Sequence, residues 1–168
     1  MSIFFRGHEI LEMAERIERN GARFYRQCAE CVADSETRTM LQELADMEDT
    51  HLRIFSSIKS ALPPREYDRT PPPDAQQDEL LYLQAWADEH VFDTKVDPCA
   101  QLTGKESVED ILKTAMGMEK DSIVFYLGFK DAVPGKSDRE SIERILKEEL
   151  KHLAQLSTRL KELQREMQ

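Results

Sequence analysis

Leu44-Ala45-Asp46-Met47-Glu48-Asp49-Thr50-His51-Leu52 and Lys147-Glu148-Glu149-Leu150-Lys151-His152-Leu153 are the stretches from which the fold can be read. Each sets a carboxylate and an imidazole three residues apart, about one helical turn, so the two side chains point the same way. Each also lies in an apolar stripe. Leu41, Leu44, Phe55 and Ile58 flank the first, with His51 or Leu52 at the inward position, and Ile142, Ile145, Leu156 and Leu160 flank the second. An ionised carboxylate in an apolar seam costs several kcal/mol unless it is paired or bound to a cation.

Outward from these stretches the chain repeats itself. Ala14-x3-Glu18-x5-Phe24-Tyr25 recurs as Ala115-x3-Glu119-x5-Phe125-Tyr126, and Glu48-x2-His51-Leu52 as Glu149-x2-His152-Leu153. Every matched pair is offset by 101 residues (119 − 18 and 152 − 51), and Leu41 with Ile142 and Leu44 with Ile145 keep that offset. One register held across separate motifs points to a duplicated helical hairpin. The apolar spacing predicts four helices, over 8–33, 36–61, 106–132 and 137–165. Short breaks at Asp34-Ser35 and Pro134-Gly135 make two antiparallel hairpins. The prolines between Pro63 and Pro73 cannot sit in continuous helix, so residues 62–105 form a crossover, with room for a short helix over 78–92. The fold class is therefore all-α, a four-helix bundle of two hairpins forming a single domain over 1–168.

Hairpin geometry brings the carboxylates together. Glu18 and Glu48 are 30 residues apart (48 − 18), as are Glu119 and Glu149 (149 − 119), with a turn midway in each case. Residues equidistant from a turn stand at one height, so all four glutamates and both histidines can share one layer. Four carboxylates carry the charge that two divalent metals neutralise, and oxygen with imidazole ligands suits iron or manganese. A glutamate from each of two helices plus Glu-x-x-His from the other two is the ligand set of ferritin-like di-iron proteins. The candidate metal ligands are Glu18, Glu48, His51, Glu119, Glu149 and His152. Glu-x-x-His alone is a weak signal; two copies with matched glutamates and one offset are a strong one.

Across all four helices, though not the crossover, the sequence resembles the rubrerythrin family of the ferritin-like superfamily. The resemblance implies two iron ions per chain, with manganese or zinc as substitutes. It also implies that Glu48 and Glu149 bridge them while Glu18, Glu119 and the histidines are terminal ligands. Reduction of hydrogen peroxide or dioxygen by a homodimer is the activity implied, with the four glutamates as its catalytic groups. Two departures stand out: Ser122 occupies the place of a further glutamate, and the paired Cys-x-x-Cys motifs of a rubredoxin domain are missing. Electrons are then expected from a separate donor, such as a rubredoxin-like protein.

The remaining signals are weaker. Tyr25 and Tyr126 each follow a glutamate ligand by seven residues, on the same helix face. They are either ordinary core residues or donors of a hydroxyl to a carboxylate on a neighbouring helix. Cys28 and Cys31 both fall on the apolar stripe and read as small hydrophobes. Solvated or capping roles suit His8 and His90, and Met13, Met40, Met47, Met116 and Met118 read as core filler. Leu80, Leu81, Leu83, Trp86, Val91 and Phe92 in the crossover need burial against this bundle or a partner. With 23 basic and 33 acidic residues the net charge is −10, which argues against nucleic acid as a partner. No apolar run reaches the ~20 residues of a membrane span. The start of the chain lacks a secretory signal, and three cysteines make no disulfide framework, so the expected location is cytoplasmic. The functions left to compare are a di-iron oxidoreductase, an iron-storage protein and a metal-free helical module.

Overall fold

The computed structural model describes residues 7–61, 106–130 and 135–166, and within them four helices. These are α1 (Gly7–Cys31), α2 (Ser35–Ala61), α3 (Val108–Lys130) and α4 (Lys136–Glu166). The crossover, its expected helix over 78–92, His90 and Cys99 lie outside the described residues. No described helix is long and apolar enough to cross a membrane.

Local chemistry sets the helix ends. Asp34 caps α2, its Oδ2 accepting the Thr37 amide at 2.8 Å, while the Arg38 guanidinium covers the Val32 carbonyl left open at the end of α1. Ser107 and Asp110 form a reciprocal capping box at the start of α3, with the Asp110 amide 3.1 Å from Ser107 Oγ.

α1 packs along α2, and α3 along α4; the two hairpins meet through α1 against α3 and α2 against α4. All four of these neighbouring pairs run antiparallel. Ile10 and Met13 at the start of α1 share a cluster with Phe55 at the end of α2, Phe125 near the end of α3 and Ile142 at the start of α4. The other end holds a second cluster containing Phe24, Leu41, Leu44, Leu112 and Leu156. Each fully buried large apolar side chain in these clusters contributes roughly 1.5–3 kcal/mol. The two clusters are separate, and the layer between them is acidic.

Most of the expected stripe is inside. Ile10, Ala14, Phe24 and Cys28 of α1 are buried, and in α2 His51 takes the inward position while Leu52 is half-buried. Cys31 corrects the reading: it is exposed. It is the last residue of α1, and where the helix stops Val32 turns inward instead, at 3% exposure.

Candidate metal centre

The layer between the apolar clusters contains Glu18 from α1, Glu48 and His51 from α2, Glu119 from α3, and Glu149 and His152 from α4. All six are buried, none more than 5% exposed. Their donor atoms form two overlapping quartets: Glu18, Glu48, His51 and Glu149, and Glu48, Glu119, Glu149 and His152. Within each, one atom per residue lies within 4.8 Å of the others. Glu48 and Glu149 belong to both.

Both imidazoles turn Nδ1 toward the carboxylates. His51 Nδ1 lies 3.0 Å from Glu149 Oε1 and 3.4 Å from Glu18 Oε2. His152 Nδ1 lies 3.1 Å from Glu149 Oε2 and 3.6 Å from Glu119 Oε1. The rings stack with centroids 5.8 Å apart. Their outer nitrogens have different neighbours, His51 Nε2 meeting Glu148 Oε2 at 2.8 Å and His152 Nε2 meeting Met47 Sδ at 3.3 Å.

The tyrosines reach across the hairpins. Tyr25 donates its hydroxyl to Glu119 Oε1, and Tyr126 donates to Glu18 Oε1, each from within the core. Burial, and then the facing carboxylates, push both phenols well above their ordinary range, so they remain donors. Ser122 donates to the Met118 carbonyl of its own helix at 3.0 Å. Gly21, at the matching position of the first half, faces Glu48, whose Cδ would lie 3.3 Å from an added Cβ.

Burial also raises the carboxyls of Glu18, Glu48 and Glu119, the last two furthest; the charge of Glu18 adds to the shift at Glu48 and that of Glu149 to the shift at Glu119. Burial works the same way on Glu149 but is outweighed by His152 and His51, which pull it down. The imidazoles are raised against the effect of burial, His51 by Glu149 and Glu18, and His152 by Glu119 and Glu149 to about 10. Protons on these groups offset charge that a bound cation would otherwise neutralise.

Among the described residues, three buried side-chain atoms have no hydrogen-bond partner: Glu18 Oε2, His51 Nδ1 and Glu149 Oε1. They are near enough to one another for ion pairing but not aligned as hydrogen bonds. All three belong to residues of one quartet. Leaving buried polar atoms unsatisfied costs about 1–3 kcal/mol each, more for charged groups. A divalent cation would satisfy all three, and carboxylate oxygen with imidazole nitrogen is a donor set suited to iron. The residues fit the metal.

Glu148 and Met47 were not singled out as neighbours of the histidines by the sequence reading. The signal was present, since they too are offset by 101 residues (148 − 47), each directly before the glutamate of its Glu-x-x-His.

The family model described as Rubrerythrin matches residues 9–160. Among solved structures, a ferritin-like diiron-carboxylate protein from Thermotoga maritima superposes with a TM-score of 0.69 at 24% sequence identity, covering 95% of this chain and 97% of that one. The fold is thus the ferritin-like four-helix bundle. No match is found among curated proteins.

Proposed function

The chain belongs to the rubrerythrin family, and from that premise we propose that it is a di-iron oxidoreductase reducing hydrogen peroxide or dioxygen with electrons from a separate donor. The observation that carries the proposal is the pair of overlapping buried quartets sharing Glu48 and Glu149. Two cations placed there would have Glu48 and Glu149 between them, Glu18 and His51 on one side, and Glu119 and His152 on the other. Manganese or zinc would suit the same donors.

Bound iron would supply the two electrons that take hydrogen peroxide, with two protons, to two waters. The chain's own residues hold the geometry. Tyr126 occupies Glu18 Oε1 and leaves Oε2 directed into the layer, and Tyr25 restrains Glu119. Apolar clusters on both sides keep bulk water from the donors, which strengthens every charge interaction between them. The homodimer and the rubredoxin-like donor implied by the resemblance complete the proposal.

Anaerobic ferrous titration followed by stopped-flow mixing with peroxide and with dioxygen tests it. Saturation near two irons per chain and rapid oxidation are expected. Saturation at one or none would remove the di-iron reading. Uptake of far more than two irons, without re-reduction by any donor, would mark an iron store instead.

A further inference from the structure

The two imidazoles present the same nitrogen to the acidic layer and differ in what holds the other. His51 on α2 has Glu148 of α4 at 2.8 Å from Nε2, whereas His152 on α4 has Met47 of α2 at 3.3 Å from Nε2. Glu148 and Met47 occupy matching positions of the repeat. The duplication thus delivers one side chain across the bundle to each imidazole, but a carboxylate in one half and a thioether in the other. A carboxylate accepts a charge-assisted hydrogen bond, keeps the proton on Nε2 and makes Nδ1 the stronger ligand. A thioether is a weak acceptor and does little of either.

A second, independent difference points the same way. The three unpartnered atoms, Glu18 Oε2, His51 Nδ1 and Glu149 Oε1, all lie in the quartet around His51. In the other quartet His152 Nδ1 makes an aligned hydrogen bond to Glu149 Oε2 at 3.1 Å, whereas His51 Nδ1 meets Glu149 Oε1 at 3.0 Å without that alignment, so a cation displaces less at the His51 side.

We propose that the two cation sites are unequal: the site of Glu18, Glu48, His51 and Glu149 fills first and holds its ion more tightly than that of Glu48, Glu119, Glu149 and His152. The inference rests on the reading of the layer as a two-cation centre. Glu148 acts as a positioning residue for His51, and Met47 is the place where the second half lacks that support. Loss of such a partner typically costs 10- to 100-fold in metal affinity. The Glu148 side chain is 38% exposed, so solvent weakens its bond and the lower figure applies.

Cobalt(II) titration of the full chain, followed by visible absorption and calorimetry, tests the inference. Two steps of one ion each are expected, separated by about 10-fold or more in affinity. Met47→Glu should tighten the second step by about 10-fold and leave the first in place. Glu148→Met should weaken the first until the steps merge. Both variants should unfold, without metal, close to the parent temperature, since neither change enters the apolar clusters. Two ions bound with equal affinity by the parent would overturn the inference while leaving the two-cation reading intact. So would a folded Met47→Glu variant whose second step does not move. Failure of the parent to bind cobalt would overturn both. Should either variant fail to fold, the separation of steps in the parent decides.

Discussion

Gly21 sits one turn beyond Glu18 on α1, and a Cβ there would lie 3.3 Å from Glu48 Cδ and 3.4 Å from its Cγ. That is close enough to make Glu48 yield by a few tenths of an ångström, and Glu48 is one of the two carboxylates common to both quartets. Alanine gains about 1 kcal/mol over glycine inside a helix, which offsets part of the crowding in the metal-free protein. Gly21→Ala is therefore expected to change metal-free stability by less than about 1 kcal/mol, yet to weaken metal binding about 10-fold, as loss of a ligand's support does. Paired denaturation and metal titrations check both halves. Proton release is a second expectation. His51 and His152 are raised in the metal-free chain, His152 to about 10, so near neutral pH both carry protons that must leave before Nδ1 can bind a cation. Metal affinity should rise with pH until the raised His152 value of about 10 is passed, with protons released into a weakly buffered solution during loading. An affinity that falls as pH rises would contradict it.

The ends of the helices are secured by groups outside the metal layer. Asp34 caps α2 and also accepts Arg159 of α4 at 2.8 Å, while Arg159 Nε donates to Thr37 Oγ1 at 2.9 Å. One buried guanidinium thus ties the first hairpin's turn to the far end of α4. The Thr37 hydroxyl and amide, then Arg159, hold the Asp34 carboxyl well below the ordinary carboxylate range. Because the folded value lies below the unfolded one, this stabilisation is present above about pH 4 and is lost as pH falls through the folded value. Asp34→Ala should cost about 0.5–2 kcal/mol near neutral pH, the usual range for a lost N-cap. In urea denaturation the difference from the parent should shrink toward pH 3. A double-mutant cycle with Arg159→Ala should show coupling of at least about 0.5 kcal/mol. Additive losses would show that the ion pair is incidental.

Taken together, the bundle is two apolar clusters divided by a layer of four carboxyls and two imidazoles. Such a layer opposes folding when empty of cations and supports it when filled, since a metal that binds only the folded chain stabilises it by mass action. On the proposed oxidoreductase reading, electron supply is an expectation at the same level. The chain has three cysteines, and an iron–sulfur module needs four thiolates. Cys28 is buried in the second apolar cluster and Cys31 is exposed. Diferrous protein should consume about one equivalent of peroxide per centre and stop, then restart when a soluble donor is added. With a net charge of −10, transfer from a basic donor should slow at high salt. Sustained turnover without added reductant would refute this account. Cys28→Ser should leave metal content unchanged.

By itself the sequence determined the helices, their pairing and the level at which six polar side chains meet. Periodicity marks a helix face, a short break makes an antiparallel hairpin, and equal distance from a turn sets equal height. All three are relations along the chain. The 101-residue offset then places the second hairpin's donors beside the first's, while their role as ligands is proposed from the chemistry of the donor set. Tertiary structure decided what depends on how the helices are rotated and which hairpin faces meet. It directs the Tyr25 and Tyr126 hydroxyls to Glu119 and Glu18 rather than leaving them as plain core aromatics, and it brings Arg159 to the Asp34 cap, 125 residues away in the chain. It leaves Cys31, the last residue of α1, outside and turns Val32 inward in its place. It also sets Glu148 against one histidine and Met47 against the other. Those contacts cross between α2 and α4, and a side chain's reach across a bundle is set by helix rotation and separation, which spacing along one helix does not specify.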